Sequence, residues 1–208
     1  MNKLYLILIF ICIKSNAQKN FEGLIKFTTY ISTTKIAPKD FDKDLEKKYG
    51  DSLIMYYSAN GDFKRVHKNS DKFGTDYQLY MAKKGVLYIA SKEKYVDSLN
   101  VKLNSLELKN KKKINNEIII GLDCECYQYE ATSMYQQNVI LNYCFSKKTP
   151  KLNEKLYSQH NDFFLYDFYR ISKRPYLKFS IRTDEFNITY VANELINQSL
   201  NKDIFLLK

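Results

Sequence analysis

Short runs of apolar and β-branched residues, bounded by turn residues, recur along most of the chain and predict strands joined by tight turns. Residues 21–31, rich in aromatic and β-branched side chains, are the first of these. Pro38 ends the run. Phe41, Leu45 and Tyr49 then recur at helical spacing, with Asp40 placed to cap a short helix and Gly50 to stop it. Asn60-Gly61, the strongest short hairpin signal, joins residues 53–58 to 63–67. Lys83-Lys84-Gly85 joins 77–82 to 86–91 in the same way. Residues 96–109 read as an irregular strand with Leu99, Val101 and Leu103 pointing inward. A third hairpin pairs 114–132 with 137–147 through a turn at 133–136, and a last one pairs 176–182 with 187–194. Between them Leu152, Leu156 and Phe163 fall near helical spacing, which predicts a helix over residues 154–169, and the tail 200–206 supplies an apolar plug.

Strands that succeed one another through tight turns form an antiparallel meander. The expected fold is mainly β (α+β): a single curved antiparallel sheet or half-barrel of hairpins, with one or two covering helices. No linker, repeat or composition break divides it, so residues 18–208 are expected to form one β-rich domain.

The first seventeen residues follow a different pattern. Lys3 precedes an apolar run from Leu4 to Ile13, and Ser15-Asn16-Ala17 supplies small residues at the cleavage positions of a signal peptide. A spanning helix needs about 20 apolar residues, and Lys14 ends this run well short of that. Cys12 follows bulky Ile11, which does not suit lipoprotein processing. Residues 1–17 therefore read as a cleavable signal peptide, and the protein as exported to the periplasm or medium, not lipidated and without a transmembrane segment.

Export changes the meaning of the cysteines, which become disulfide candidates. A hairpin centred on Tyr135 places Cys126 and Cys144 opposite each other; a turn shifted by one residue pairs Cys124 with Cys144 instead. The Cys124-Glu125-Cys126 spacing fits neither a structural zinc site nor a C-x-x-C redox motif. Asp40-Phe41-Asp42-Lys43-Asp44 lacks the central glycine and distal glutamate of a calcium loop. No metal or cofactor is expected.

The formal charge is +10, compatible with nucleic acid, anionic lipid or an acidic glycan as partner. The chain is also rich in Lys, Asn, Ile and Tyr and poor in Ala, Gly and Pro, as a composition bias produces, and the dense run Lys109-Asn110-Lys111-Lys112-Lys113 reads as a solvated loop. Nucleic acid is not an expected partner. No nucleophile elbow, zinc-protease motif, phosphate loop or dinucleotide fingerprint occurs. His67 is expected at an exposed strand edge and His160 on the second helix, so no enzyme is expected.

Tyr (18) and Phe (13) are heavily used, and on alternating strands they either fill a core or line an apolar cavity. Strand position selects Phe27, Tyr57, Tyr80, Tyr88, Tyr127 and Phe179 as candidate lining residues.

Three segments together resemble the secreted GLPGLI-type proteins and their lipoprotein-carrier-like (LolA-like) relatives of Gram-negative envelopes. They are Phe21-Glu22-Gly23-Leu24-Ile25-Lys26-Phe27, Ile120-Gly121-Leu122-Asp123-Cys124 and the tail Leu200-Asn201-Lys202-Asp203-Ile204-Phe205-Leu206; the GLPGLI hexapeptide itself is missing. The resemblance implies a strongly curved antiparallel sheet with helices inside the curve, and no catalytic residues. Together these readings favour a non-catalytic binding module for a lipid, lipoprotein or other apolar ligand. The alternative is a structural or protein-interaction component of the envelope with a filled core.

Overall fold

The computed structural model describes residues 20–93 and 95–207; the segment read as a signal peptide lies outside them. Among the described residues, eleven strands and two short α-helices follow in the order β1 (Gly23–Thr33), α1 (Phe41–Tyr49), β2 (Ser52–Tyr57), β3 (Phe63–Lys68), β4 (Thr75–Met81), β5 (Val86–Ser91), β6 (Val96–Asn100), β7 (Leu106–Ile119), β8 (Leu122–Ser133), β9 (Asn138–Phe145), α2 (Leu165–Ser172), β10 (Lys178–Arg182) and β11 (Phe186–Asn197). The strands form one open antiparallel sheet in the order β6-β5-β4-β3-β2-β1-β11-β10-β9-β8-β7. The predicted mainly-β fold is the observed one. Every neighbouring pair is consecutive in the chain except β1 and β11, the first and last strands, which pair in the middle.

This order dictates curvature. Laid flat, ten interstrand spacings of about 4.8 Å would separate the two edge strands by about 48 Å. Yet β6 and β7 are those edges, and only residues 101–105 connect them. At about 3.3–3.6 Å per residue that link reaches roughly 20 Å, so the sheet must curl until its edges approach each other. The concave face formed in this way is the core. Pairing register defines it strand by strand: Leu99 opposes Leu87, Ile89 opposes Gln78, Gln78 opposes Arg65, Arg65 opposes Met55 and Met55 opposes Ile25. On the other side Tyr190 opposes Phe179, Phe179 opposes Tyr143 and Tyr143 opposes Tyr127.

Both helices serve this face. The α1 helix buries Leu45 and sets Phe41 edge-on against Phe186 at 6.0 Å. Asp40 does not cap it; its backbone is left-handed and its carboxylate accepts from Lys43 instead. Gly50 ends the helix at φ 70°, where a Cβ would sit 1.7 Å from the Lys68 carbonyl oxygen. The α2 helix lies inside the curl, with Phe168 stacked on Tyr143 at 4.7 Å. Its predicted extent was larger. The region breaks into 3-10 turns at Glu154–Tyr157 and Asp162–Phe164 before α2 begins, and Phe163 and Phe164 both adopt left-handed backbone (φ 51° and 56°). One continuous helix would carry its aromatics around a cylinder; the broken path turns Tyr157, Leu165, Phe168 and Tyr169 all into the core.

Two further expectations are corrected. The lysine-rich segment 109–113 is no loop but the middle of edge strand β7, nearly all of it exposed. Lys109, Lys111, Lys112 and Lys113 pair with Glu107, Asp167, Glu130 and Glu125 at 2.6–2.9 Å. Such a lysine-covered edge also discourages pairing with another chain. Residues 96–109 are not one strand: β6 ends at Asn100, Val101 alone is fully buried, Leu103 is exposed, and Leu99 is two-fifths exposed. The tail does pack as a plug, with Phe205 against the small convex-face cluster of Tyr77, Leu79 and Ala90.

Cys126 and Cys144 face each other across β8 and β9 and form a disulfide, with Glu117 bonded to Lys178 at 2.7 Å beside it. Cys124 remains a buried thiol whose pKa burial pushes up to about 11. Replacing both bridged cysteines by alanine is expected to cost about 3 kcal/mol, the usual value for closing a loop of this length. Denaturant unfolding of the double variant checks this; an unchanged midpoint would show that the crosslink restricts the unfolded chain too little to stabilise the fold.

Candidate functional site

The concave face is not completely filled. Moving along β3, Phe63 is packed into an aromatic block, with Tyr80 at 5.0 Å and Tyr57 and Tyr157 each at 6.5 Å. Two residues further, beyond the reach of that block, Arg65 borders a cavity of about 350 Å³. The walls are largely apolar, with Leu53, Ile89, Phe179, Ile181, Ile188 and Tyr190 contributed by four different strands. The volume is at the lower end of the ~300–1,000 Å³ typical of small-molecule sites.

Polar groups converge on this apolar space from a few positions. Arg65 donates from Nη1 to Gln78 Oε1 at 3.2 Å and packs over the Phe63 ring at 5.0 Å. His67 lies two positions on and is buried; its Nδ1 is 3.0 Å from the Tyr49 carbonyl oxygen. Burial lowers its pKa to about 4, with the Arg65 charge adding to the effect and the Tyr49 carbonyl opposing it. His160 is buried between Phe63 and Tyr80, at 5.6 and 4.8 Å, and neither ring nitrogen has a hydrogen-bond partner among the described residues. Burial, then the Arg65 charge, lowers its pKa to about 3. Asp162 Oδ1 accepts from the Ser105 backbone N–H at 3.2 Å and from Ser105 Oγ at 2.6 Å, tying the β6–β7 link to the segment inside the curl.

No family model matches this chain, and no curated protein matches it.

Of the aromatic candidates, Phe179 lines the cavity. Phe27, Tyr57 and Tyr80 are fully buried in the packed block. Tyr88 packs with the convex-face cluster on the far side of the sheet, and Tyr127 stacks on Phe145 at 6.4 Å, away from the cavity. Both histidines expected elsewhere are interior: His67 is no exposed edge residue, and His160 sits in a turn between two 3-10 segments rather than on a helix. Register carried the missed signal. Arg65 and His67 share the parity of Phe63 on β3, so a strand with Phe63 in the core must turn them inward as well.

Ser105 Oγ donates to Asp162, not to an imidazole, and the His160 ring contacts rings instead of a carboxylate. An imidazole with a pKa of about 3 or 4 is a poor general base near neutrality. The donor group formed by Glu117, Cys126 and Cys144 is also committed: its sulfurs are bonded to each other and its carboxylate holds Lys178.

Proposed function

We propose that this protein is an exported, non-catalytic binding module that holds an apolar ligand, such as a lipid, in the hollow of its curled sheet. One observation carries the reading: an apolar cavity of about 350 Å³ persists on a concave face whose neighbouring side chains are otherwise tightly packed. Protein interiors are close-packed, and an unfilled space of this size sacrifices dispersion contacts unless something occupies it. The signal-peptide pattern of residues 1–17 and the Cys126–Cys144 disulfide support export to an oxidising compartment. The curled sheet with a helix in its curve also agrees with the carrier-like resemblance. No described helix is long and apolar enough to cross a membrane.

A second reading has its own support. Phe27, Tyr57 and Tyr80 interlock with other rings rather than lining open space, as expected of a structural or interaction protein of the envelope. Native mass spectrometry with lipid extraction, on protein purified from its own periplasm or medium, separates the two. A reproducible co-purifying acyl species is expected. A clean apo mass, with no uptake of a fluorescent fatty acid, would discard the carrier reading in favour of the interaction one.

A further inference from the structure

Arg65 is the most unusual residue of the cavity. It projects from the middle of a six-residue strand onto the concave face, where it opposes Met55 on one side and Gln78 on the other. The polar groups around it are tyrosines, Tyr57, Tyr143, Tyr169 and Tyr176, which burial keeps neutral, and it forms no ion pair with a carboxylate among the described residues. Asp162 borders the same cavity but turns its Oδ1 to Ser105. The Arg65 Nε is buried and has no hydrogen-bond partner among the described residues. A guanidinium carries five N–H donors in a planar fork matched to oxyanions. Removing such a charge from water without an opposite charge is costly, and a protein keeps one inside mainly where something pairs with it. Elsewhere in this chain lysines are matched at the surface by carboxylates at 2.6–3.3 Å. Arg65 is left without such a partner at the wall of the one apolar cavity described above.

We propose that Arg65, supported by Gln78, is the anion-binding residue of this cavity, and that the ligand is a single-headed anionic amphiphile whose head meets Arg65 and whose chain lies along the apolar wall. The register orders the two ends. On β3 the aromatic block at Phe63 closes one side of Arg65; on the other side, toward α1, the wall continues with Leu53, Ile181, Ile188 and Phe186. The head is therefore placed against the block and the chain toward α1. Gln78 Oε1 accepts from Arg65 Nη1 and the Tyr176 hydroxyl is also hydrogen-bonded to the guanidinium, while Nε has no partner among the described residues and is left for the oxyanion. His160 also presents two unpartnered ring nitrogens to the same region, one of them an N–H donor in the neutral ring.

The inference rests on the carrier reading but fails separately from it. The test is isothermal titration of the mature chain at pH 7 with dodecanoate, dodecyl phosphate and dodecan-1-ol, which share a chain and differ in the head. Wild-type protein is expected to bind at least one anion roughly ten- to a hundredfold more tightly than the alcohol, the range given by charge-assisted hydrogen bonds. The stronger anion identifies the head as carboxylate or phosphate. Arg65→Met is expected to remove that preference and leave alcohol binding within about twofold, while Arg65→Lys, which keeps the charge but not the fork, retains part of it. Equal binding of alcohol and anions by the wild type would overturn the role of Arg65 and leave the carrier reading standing. No binding of any of the three would overturn both. Neither outcome requires a variant to fold.

Discussion

Acidification from pH 7 to pH 4.5 is expected to remove about 5 kcal/mol of stability, most of it through His67 and His160. Both are buried and neutral in the folded protein, with pKa values of about 4 and about 3 against 6.5 for the free side chain. Above pH 6.5 they are neutral in the folded and unfolded chain alike and contribute no pH dependence. Below it, the unfolded chain takes up two protons that the folded chain excludes, and each imidazole costs about 1.4 kcal/mol per pH unit. The loss continues until about pH 4 for His67 and about pH 3 for His160. The carboxylates of Asp51, Glu125 and Glu130 are held below their ordinary range by neighbouring hydrogen bonds and lysines, so their contribution is lost as the pH falls from the ordinary carboxylate range through their lowered values. Urea unfolding at several pH values measures the slope. His160→Phe combined with His67→Gln is expected to flatten it between pH 6.5 and 4.5. A wild type already flat across that range would mean that water reaches both rings. Since domains of this kind carry only about 5–15 kcal/mol in total, the effect approaches the whole stability of the fold.

The second large effect concerns Tyr143. Its ring is in contact with Tyr129, Phe168, Tyr176 and Phe179 at centroid distances of 4.7–5.9 Å, and its hydroxyl donates to the Phe163 carbonyl at 2.9 Å. Tyr143→Ala removes the ring that joins the sheet to α2 and enlarges the neighbouring cavity, for an expected loss of about 3–5 kcal/mol. That loss corresponds to a fall in Tm of roughly 10 °C for a domain of this size. Tyr143→Phe keeps the ring and removes only the hydrogen bond. It is expected to cost about 1–2 kcal/mol, because the Phe163 carbonyl, in a strained left-handed turn, loses its donor. If the alanine variant melted within a degree or two of wild type, the interior would have collapsed into the space, and the cavity would not be held open by its walls.

The hairpins were legible because half-buried strands alternate and because Asn60-Gly61 and Lys83-Lys84-Gly85 are chemically suited to turns. The centring of the third hairpin near Tyr135 was legible too, and with it the Cys126–Cys144 pairing. The lysine-rich middle of β7, residues 109–113, was not, for the converse reason. Nearly all of it faces solvent, so burial imposes no alternation, and hydrogen bonds and charge pairs to β8 keep it a strand. The turn joining it to β8 uses Ile120 at φ 47°, a β-branched residue in a backbone region that ordinarily selects Asn or Gly. The site was harder still. A filled core and a lined cavity use the same aromatics, so Phe27, Tyr57, Tyr80 and Phe179 look alike in one dimension. Arg65 carries no signal beyond its parity with Phe63, since charged residues on half-buried strands ordinarily face solvent.

The pairing of β1 with β11 also bears on how the molecule is made. Read from edge to edge, the sheet is a simple meander whose numbering has been rotated, with the first and last strands beside each other at its centre and Gly23 opposite Asn197. During synthesis β1 to β6 emerge with every hairpin partner they need, but one long side of β1 stays open until the last strand arrives. Two half-sheets, tethered through residues 101–105, must therefore wait for one late, long-range closure. A chain arranged this way stays unfinished until β11 has emerged, so the sheet closes only after every other strand is available.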